Sequence, residues 1–138
     1  MAMLIGKKIL LVEDDQFIRE LYEIYLKEDG YIVVGAENGQ EGVDRFKAEF
    51  FDLVLLDILL PEKDGITVLA EIQAINNKIP VVMLTNLAQQ SMVTKAFELG
   101  AAGYLLKARI NRKDLLKEVK GFVEQPMDVK SVTSIASS

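Results

Sequence analysis

A few polar residues stand where an otherwise apolar chain could do chemistry. Glu13, Asp14 and Asp15 follow the run KILLV, and Asp57 closes DLVLL and leads into Ile58, Leu59, Leu60 and Pro61. Thr85 follows PVVML and Lys107 follows GYLL. Glu13, Asp14 and Asp57 would form a carboxylate cluster. Two such charges about 5 Å apart repel by roughly 3 kcal/mol at an effective dielectric near 20. A folded domain gathers them only with a counter-charge. Oxygen-only ligands favour a hard divalent cation, Mg²⁺ above others, and Lys107 supplies a second positive charge. A carboxylate, Mg²⁺, a hydroxyl and an ammonium group suffice for phosphoryl transfer. Asp57 would be the nucleophile and give an aspartyl phosphate. The ion, Thr85 and Lys107 would hold the phosphoryl oxygens. No base is needed, because the carboxylate is already ionised.

Each residue also has a plainer assignment. For Asp15 alone a solvated turn is preferred. Glu13 or Asp14 taken singly fits a turn residue or a helix N-cap equally well. Asp57 resists such treatment, because a carboxylate in so apolar a setting is costly unless it is paired or metal-bound. A buried Asp57–Lys107 salt bridge without chemistry is its alternative.

These residues need a scaffold that brings strand ends together. Five short apolar runs supply it: Lys8–Val12, Tyr31–Ala36, Asp52–Leu56, Pro80–Leu84 and Gly103–Leu106. Most are rich in Val, Ile and Leu without alternation, which suits a parallel sheet covered on both faces. Segments with helical spacing lie between them. In Gln16–Glu28 the apolar positions Phe17, Leu21, Ile24 and Tyr25 share one face, and Asp29-Gly30 stops the helix. Gly39–Glu49 turns Val43 and Phe46 inward; Gly65–Ile75 carries Ile66, Leu69 and Ile72. Gln89–Leu99 carries Val93, Ala96 and Phe97, and Asn111–Glu124 carries Leu115, Leu116, Val119 and Phe122 behind Asn111 as candidate N-cap. Strand then helix, five times over, makes an α/β fold with a parallel sheet between helices. In such open sheets ligands bind beyond the carboxyl ends of the strands, where the polar residues above collect.

Composition narrows the function. The 138 residues fit one domain, and half of them are hydrophobic. A net charge of −5 argues against nonspecific nucleic-acid binding. With no Cys and no His there is neither thiolate chemistry nor a typical zinc site. The apolar stretches are too short for a membrane span, and MAMLIGKK does not resemble a secretory signal, so a cytoplasmic protein is expected.

The pieces ILLVEDD, LVLLDILLPEKDG, PVVMLT and GAAGYLLK together resemble the receiver domain of two-component response regulators, the single-domain chemotaxis regulators in particular. They occur in the family's order and spacing over about residues 7–124. The resemblance implies a doubly wound five-stranded, flavodoxin-like sheet in the order 2-1-3-4-5. It makes Asp57 the phosphoacceptor. Asp14 becomes the direct Mg²⁺ ligand, Glu13 the one acting through water, and the Leu59 carbonyl the remaining protein ligand. Thr85 and Lys107 become the phosphate contacts. Tyr104 becomes the aromatic that swings inward as Thr85 moves, although alone it reads as a strand aromatic packed on a helix. Pro61 and Gly65 match the loop after the acceptor. The partners implied are a sensor histidine kinase or phosphotransfer protein and a downstream output protein or domain. A phosphorylation-dependent homodimer is left open, with Met92 and Lys95 on a helix that could dock. Direct nucleic-acid and membrane contacts are not expected. The receiver would span residues 1–125, with 126–138 a tail or the start of a linker.

Two positions depart from the family pattern. Ala108 replaces the usual Pro after the Lys, so this bond is expected to be trans, a non-proline cis bond costing about 3 kcal/mol. Asn86 replaces a small residue and would either restrict access to the phosphoryl group or donate a hydrogen bond to it. Leu59 and Leu87 would shield the group from water and lengthen its life. Rival chemistries fit poorly. A haloacid-dehalogenase-type phosphatase wants a second Asp where Leu59 stands. A flavodoxin-like electron carrier wants a phosphate-cradling loop where three acids stand, and no G-x-G-x-x-G follows the first strand. The surviving alternative is a receiver-like binding module that acts without phosphorylation.

Overall fold

The computed structural model describes residues 6–86, 90–107 and 110–124. Its elements run β1 (Lys8–Val12), α1 (Gln16–Glu28), β2 (Ile32–Ala36), α2 (Gly39–Ala48), β3 (Leu53–Asp57), α3 (Gly65–Ile75), β4 (Val81–Thr85), α4 (Gln90–Glu98), β5 (Gly103–Leu106) and α5 (Arg112–Glu124). All strands pair in parallel in the order β2-β1-β3-β4-β5. Both the α/β class and the order 2-1-3-4-5 are as expected.

Successive residues of the central strands feed two different cores, which is why their sequences do not alternate with polar residues. Ile9 and Leu11 of β1, Leu53 and Leu55 of β3, and Val82 and Leu84 of β4 pack with Tyr22 and Leu26 of α1 and Leu115 and Val119 of α5. Leu10, Val12, Val54, Leu56, Val81 and Met83 point the other way, onto Val43 and Phe46 of α2, Val68, Leu69 and Ile72 of α3, and Ala96 of α4. Side-chain oxygens start four helices by accepting first-turn amides. Asp15 takes Ile18 N (3.1 Å), Asn38 takes Glu41 N (2.8 Å), Asp64 takes Thr67 N (2.9 Å) and Asn111 takes Asp114 N (2.8 Å). Each such cap stabilises by about 1 kcal/mol. Gly30 and Gly100, both at positive φ, close α1 and α4.

Several expectations need correction. Asp57 and Thr85 are the last residues of β3 and β4, not the first residues beyond them. Asp15 is a helix cap, not merely a solvated turn. The buried side of α1 carries Tyr22 and Leu26, whereas Phe17 is 74% exposed and Ile24 53% exposed. Phe97 also faces solvent, while Met92 of α4 is half-buried against the core. No helix among the described residues is long and apolar enough to cross a membrane. The expectations for Leu87, for Ala108 and its peptide bond, and for a boundary at residue 125 lie outside the described residues.

Candidate functional site

The site is built by strand register. The last paired positions of β1 and β3 are Val12 and Leu56, so Glu13 and Asp57 are one step further along neighbouring strands. Asp57 is level with Leu84 of β4, and Thr85 is level with Leu106 of β5. Lys107 is tied to that edge by its amide, which donates to the Thr85 carbonyl at 2.7 Å. Glu13, Asp57 and Thr85 are the buried polar side chains among the described residues, and all three stand at this one edge.

Glu13, Asp14 and Asp57 each place a carboxylate oxygen within 4.8 Å of the others, with Glu13 and Asp57 buried and Asp14 exposed. Lys107 Nζ lies 2.8 Å from Glu13 Oε1 and 2.9 Å from Asp57 Oδ2. It donates a well-aligned hydrogen bond to Asp57. Glu13 Oε1 is buried without an aligned donor, while its Oε2 accepts from Asp15 N at 3.1 Å. Asp57 Oδ1 accepts from Leu59 N at 3.2 Å. Two buried acids thus share one ammonium group, with the exposed Asp14 beside them.

That imbalance shows in proton affinity. Burial, reinforced by the Asp57 charge, pushes Glu13 up to about 7 against the opposing pull of Lys107 and the Asp15 amide. Burial works against the charge of Lys107, yet its bonds to Glu13 and Asp57 outweigh this and raise its pKa. Glu13, Asp14, Asp57 and Lys107 together sum to −2 when all are ionised, the charge that a divalent cation cancels. The donor set is all oxygen, and one buried carboxylate oxygen lacks an aligned donor. The residues therefore fit Mg²⁺.

Leu59 sits at the rim, 52% exposed. Thr85 is buried and its hydroxyl donates to the Asn86 carbonyl at 3.1 Å. Tyr104 points outward, pairing edge-on with Phe97 at 6.2 Å between ring centroids. Gly65 anchors the β3–α3 loop. Its amide donates to the Ile58 carbonyl at 2.8 Å, and a Cβ there would run into the carbonyl of Asp57 and the backbone of Ile58. Between them the chain turns tightly, with Glu62 at φ 66 and Lys63 N donating to Pro61 O at 2.7 Å. Two contributions were invisible in the sequence. Lys107 spans two acids, not one. Arg19 donates from Nη1 to the Glu13 carbonyl at 2.7 Å, and a side chain bonded to backbone leaves no signature of residue type.

The profile of the response regulator receiver domain matches residues 9–120. The chain is 41% identical over 101 residues to the chemotaxis protein CheY of Bacillus subtilis, covering 72% of this chain and 84% of that protein. It is 34% identical over 110 residues to the transcriptional regulatory protein ResD of Bacillus subtilis, covering 80% of this chain but 45% of that longer one. Among solved structures, a CheY-like response regulator receiver domain protein from Methanospirillum hungatei superposes with a TM-score of 0.82 at 31% identity, over 86% of this chain and 94% of that one.

Proposed function

The chain belongs to the response regulator receiver domain family of two-component signalling, and on that premise we propose that it accepts a phosphoryl group on Asp57. The observation that carries this is the buried Asp57–Glu13–Lys107 cluster, in which carboxylates outnumber the ammonium group.

A carboxylate oxygen of Asp57 attacks phosphorus. The bond to the donor breaks and the donor leaves with its electron pair. The donor is a phosphohistidine of a sensor kinase or phosphotransfer protein, or a small acyl phosphate, since the chain has no His of its own. Asp14, Asp57, Glu13 and the Leu59 carbonyl would hold Mg²⁺, which would supply charge neutralisation to the phosphoryl oxygens. Lys107, already in contact with Asp57, moves onto one phosphoryl oxygen, and Thr85 binds another. The Thr85 hydroxyl then gives up its bond to Asn86, and Tyr104 turns inward from its exposed position. The α4–β5–α5 surface changes with it and selects a downstream partner or a second copy of the chain. Family membership implies a histidine kinase upstream and an effector downstream. The protein works in the cytoplasm as a signalling phosphoacceptor, its chemistry confined to its own phosphorylation and dephosphorylation. Residues 1–125 form the receiver and 126–138 a tail or linker.

The test is intact mass after incubation with acetyl phosphate, with and without Mg²⁺, on wild type and Asp57→Asn. One added phosphoryl group, dependent on Mg²⁺ and absent from the variant, is expected. No addition, together with a silent Mg²⁺ titration, would favour a binding module that acts without phosphorylation.

A further inference from the structure

Arg19 makes a contact that the phosphoryl chemistry does not use. It sits near the start of α1, four residues after the cap Asp15, where a cation is disfavoured by the helix dipole. Five acidic side chains are close in sequence: Glu13, Asp14, Asp15, Glu20 and Glu23. Yet among the described residues no carboxylate lies within ion-pair distance of its guanidinium group. Instead Nη1 donates to a neutral acceptor, the carbonyl of Glu13, at 2.7 Å. The stem reaches that carbonyl by lying over Gly35 of β2. A Cβ at Gly35 would stand 3.4 Å from Arg19 Cδ and would collide with Glu23 Oε2.

The preceding peptide unit is fixed as well, because Glu13 N donates to the Ala36 carbonyl at 3.0 Å. Glu13 is therefore held at both backbone polar groups just where the chain leaves β1. Beyond this point the side chains diverge. Glu13 turns into the buried site and Asp14 to its exposed rim. The Glu13 carbonyl belongs to the peptide unit that joins these two acids. Its orientation sets the angle between their side chains.

We propose that Arg19 is a positioning residue for the acidic cluster, clamping the Glu13–Asp14 peptide so that both carboxylates converge with Asp57 on one cation. The role rests on the Mg²⁺ assignment made above. It makes a prediction whose sign is opposite to that of simple electrostatics. Removing a positive charge beside a dication site should tighten cation binding. Removing a clamp should loosen it, and groups that orient metal ligands typically contribute about ten-fold or more in affinity.

The experiment is calorimetric titration with MgCl₂ of wild type, Arg19→Met and Arg19→Lys, with thermal unfolding of each in EDTA. Met keeps the stem and loses the donor and the charge. Lys keeps the charge and a donor on a shorter, non-planar head. The expected order of affinity is wild type, then Lys, then Met, with Met weaker by about ten-fold and the melting temperatures in EDTA close together. Mg²⁺ affinity at or above wild type in either variant overturns the proposal, and the Lys variant alone decides it should Met fail to fold. An affinity loss matched by an equal fall in metal-free stability also overturns it, since that marks a merely structural role. Absence of Mg²⁺ binding by wild type would overturn the metal assignment itself, and this role with it.

Discussion

The two ends of the parallel sheet treat charge in opposite ways. At the amino ends of the strands, Lys8 Nζ lies 2.6 Å from Glu49 Oε1, and the Lys8 amide donates to Asp52 Oδ2 at 2.8 Å. Lys7 adds a longer contact to Asp52 at 3.9 Å, and Lys8 lies 5.4 Å from the centre of the Phe51 ring. Cations match anions there, the side chains are part-exposed, and the bond from Lys8 holds the Glu49 carboxyl below its ordinary range. At the carboxyl ends, Glu13, Asp14 and Asp57 gather within 4.8 Å of one another, and the two buried ones, Glu13 and Asp57, share Lys107. Balanced charge at one end tightens the fold; at the other, two buried carboxylates beside a single ammonium group are held at some expense of stability.

Substitutions can test that contrast. The largest effect is expected from Gly65→Ala, where a methyl group would meet the backbone of Asp57 and Ile58. A loss of about 2–3 kcal/mol is expected from overpacking, read by urea unfolding, along with slower labelling by acetyl phosphate. Next is Asp57→Asn, which relieves the crowding of acids and leaves Lys107 paired with Glu13. It should raise metal-free stability by about 1–2 kcal/mol, and saturating Mg²⁺ should shrink or reverse the gain. A wild type more stable than this variant in EDTA would contradict the contrast.

The pH dependence comes third. In the fold Glu13 holds its proton up to about 7, above its ordinary value of 4.5. The folded state therefore binds this proton more tightly than the unfolded chain does. Its contribution is fully present below 4.5 and is lost as pH rises through about 7. Thermal melts in EDTA across this range should fall more steeply for wild type than for Glu13→Gln; parallel curves would remove the assignment. The smallest effect is expected at the balanced end. Lys8→Met should destabilise by less than about 1 kcal/mol and lose even that in high salt, in contrast to the gain at Asp57.

Much of the fold was legible because the central strands are buried on both faces, which only unbroken Val, Ile and Leu runs allow. The strand ends were less so. A polar residue was taken to end a run, yet Asp57 and Thr85 remain in the ladder, since pairing depends on backbone and not on side-chain polarity. The face of α1 was misjudged because QFIRELYEIYLKE carries two apolar stripes. One contains Phe17, Leu21 and Ile24, the other Ile18, Tyr22 and Leu26, and spacing alone cannot rank them. The acids and Lys107 were legible as charges at the ends of apolar runs. What they bond to was not, because Lys107 reaches Glu13 and Asp57 from positions far apart in the chain, through a register that only the assembled sheet defines.

The contact of Gly65 with the backbone of Asp57 and Ile58 has a mechanical consequence. With no side chain between them, β3 and the start of α3 meet backbone to backbone and behave as one stiff block, further braced by the hydrogen bond from Gly65 N to Ile58 O. A load applied at Asp57 finds little give in that direction. Across the sheet, the Thr85 hydroxyl donates to the Asn86 carbonyl and Tyr104 packs edge-on against Phe97 at a half-exposed edge. Asp57 is thus braced by backbone contacts on the β3–α3 side, while on the side of β4, α4 and β5 side-chain contacts surround it.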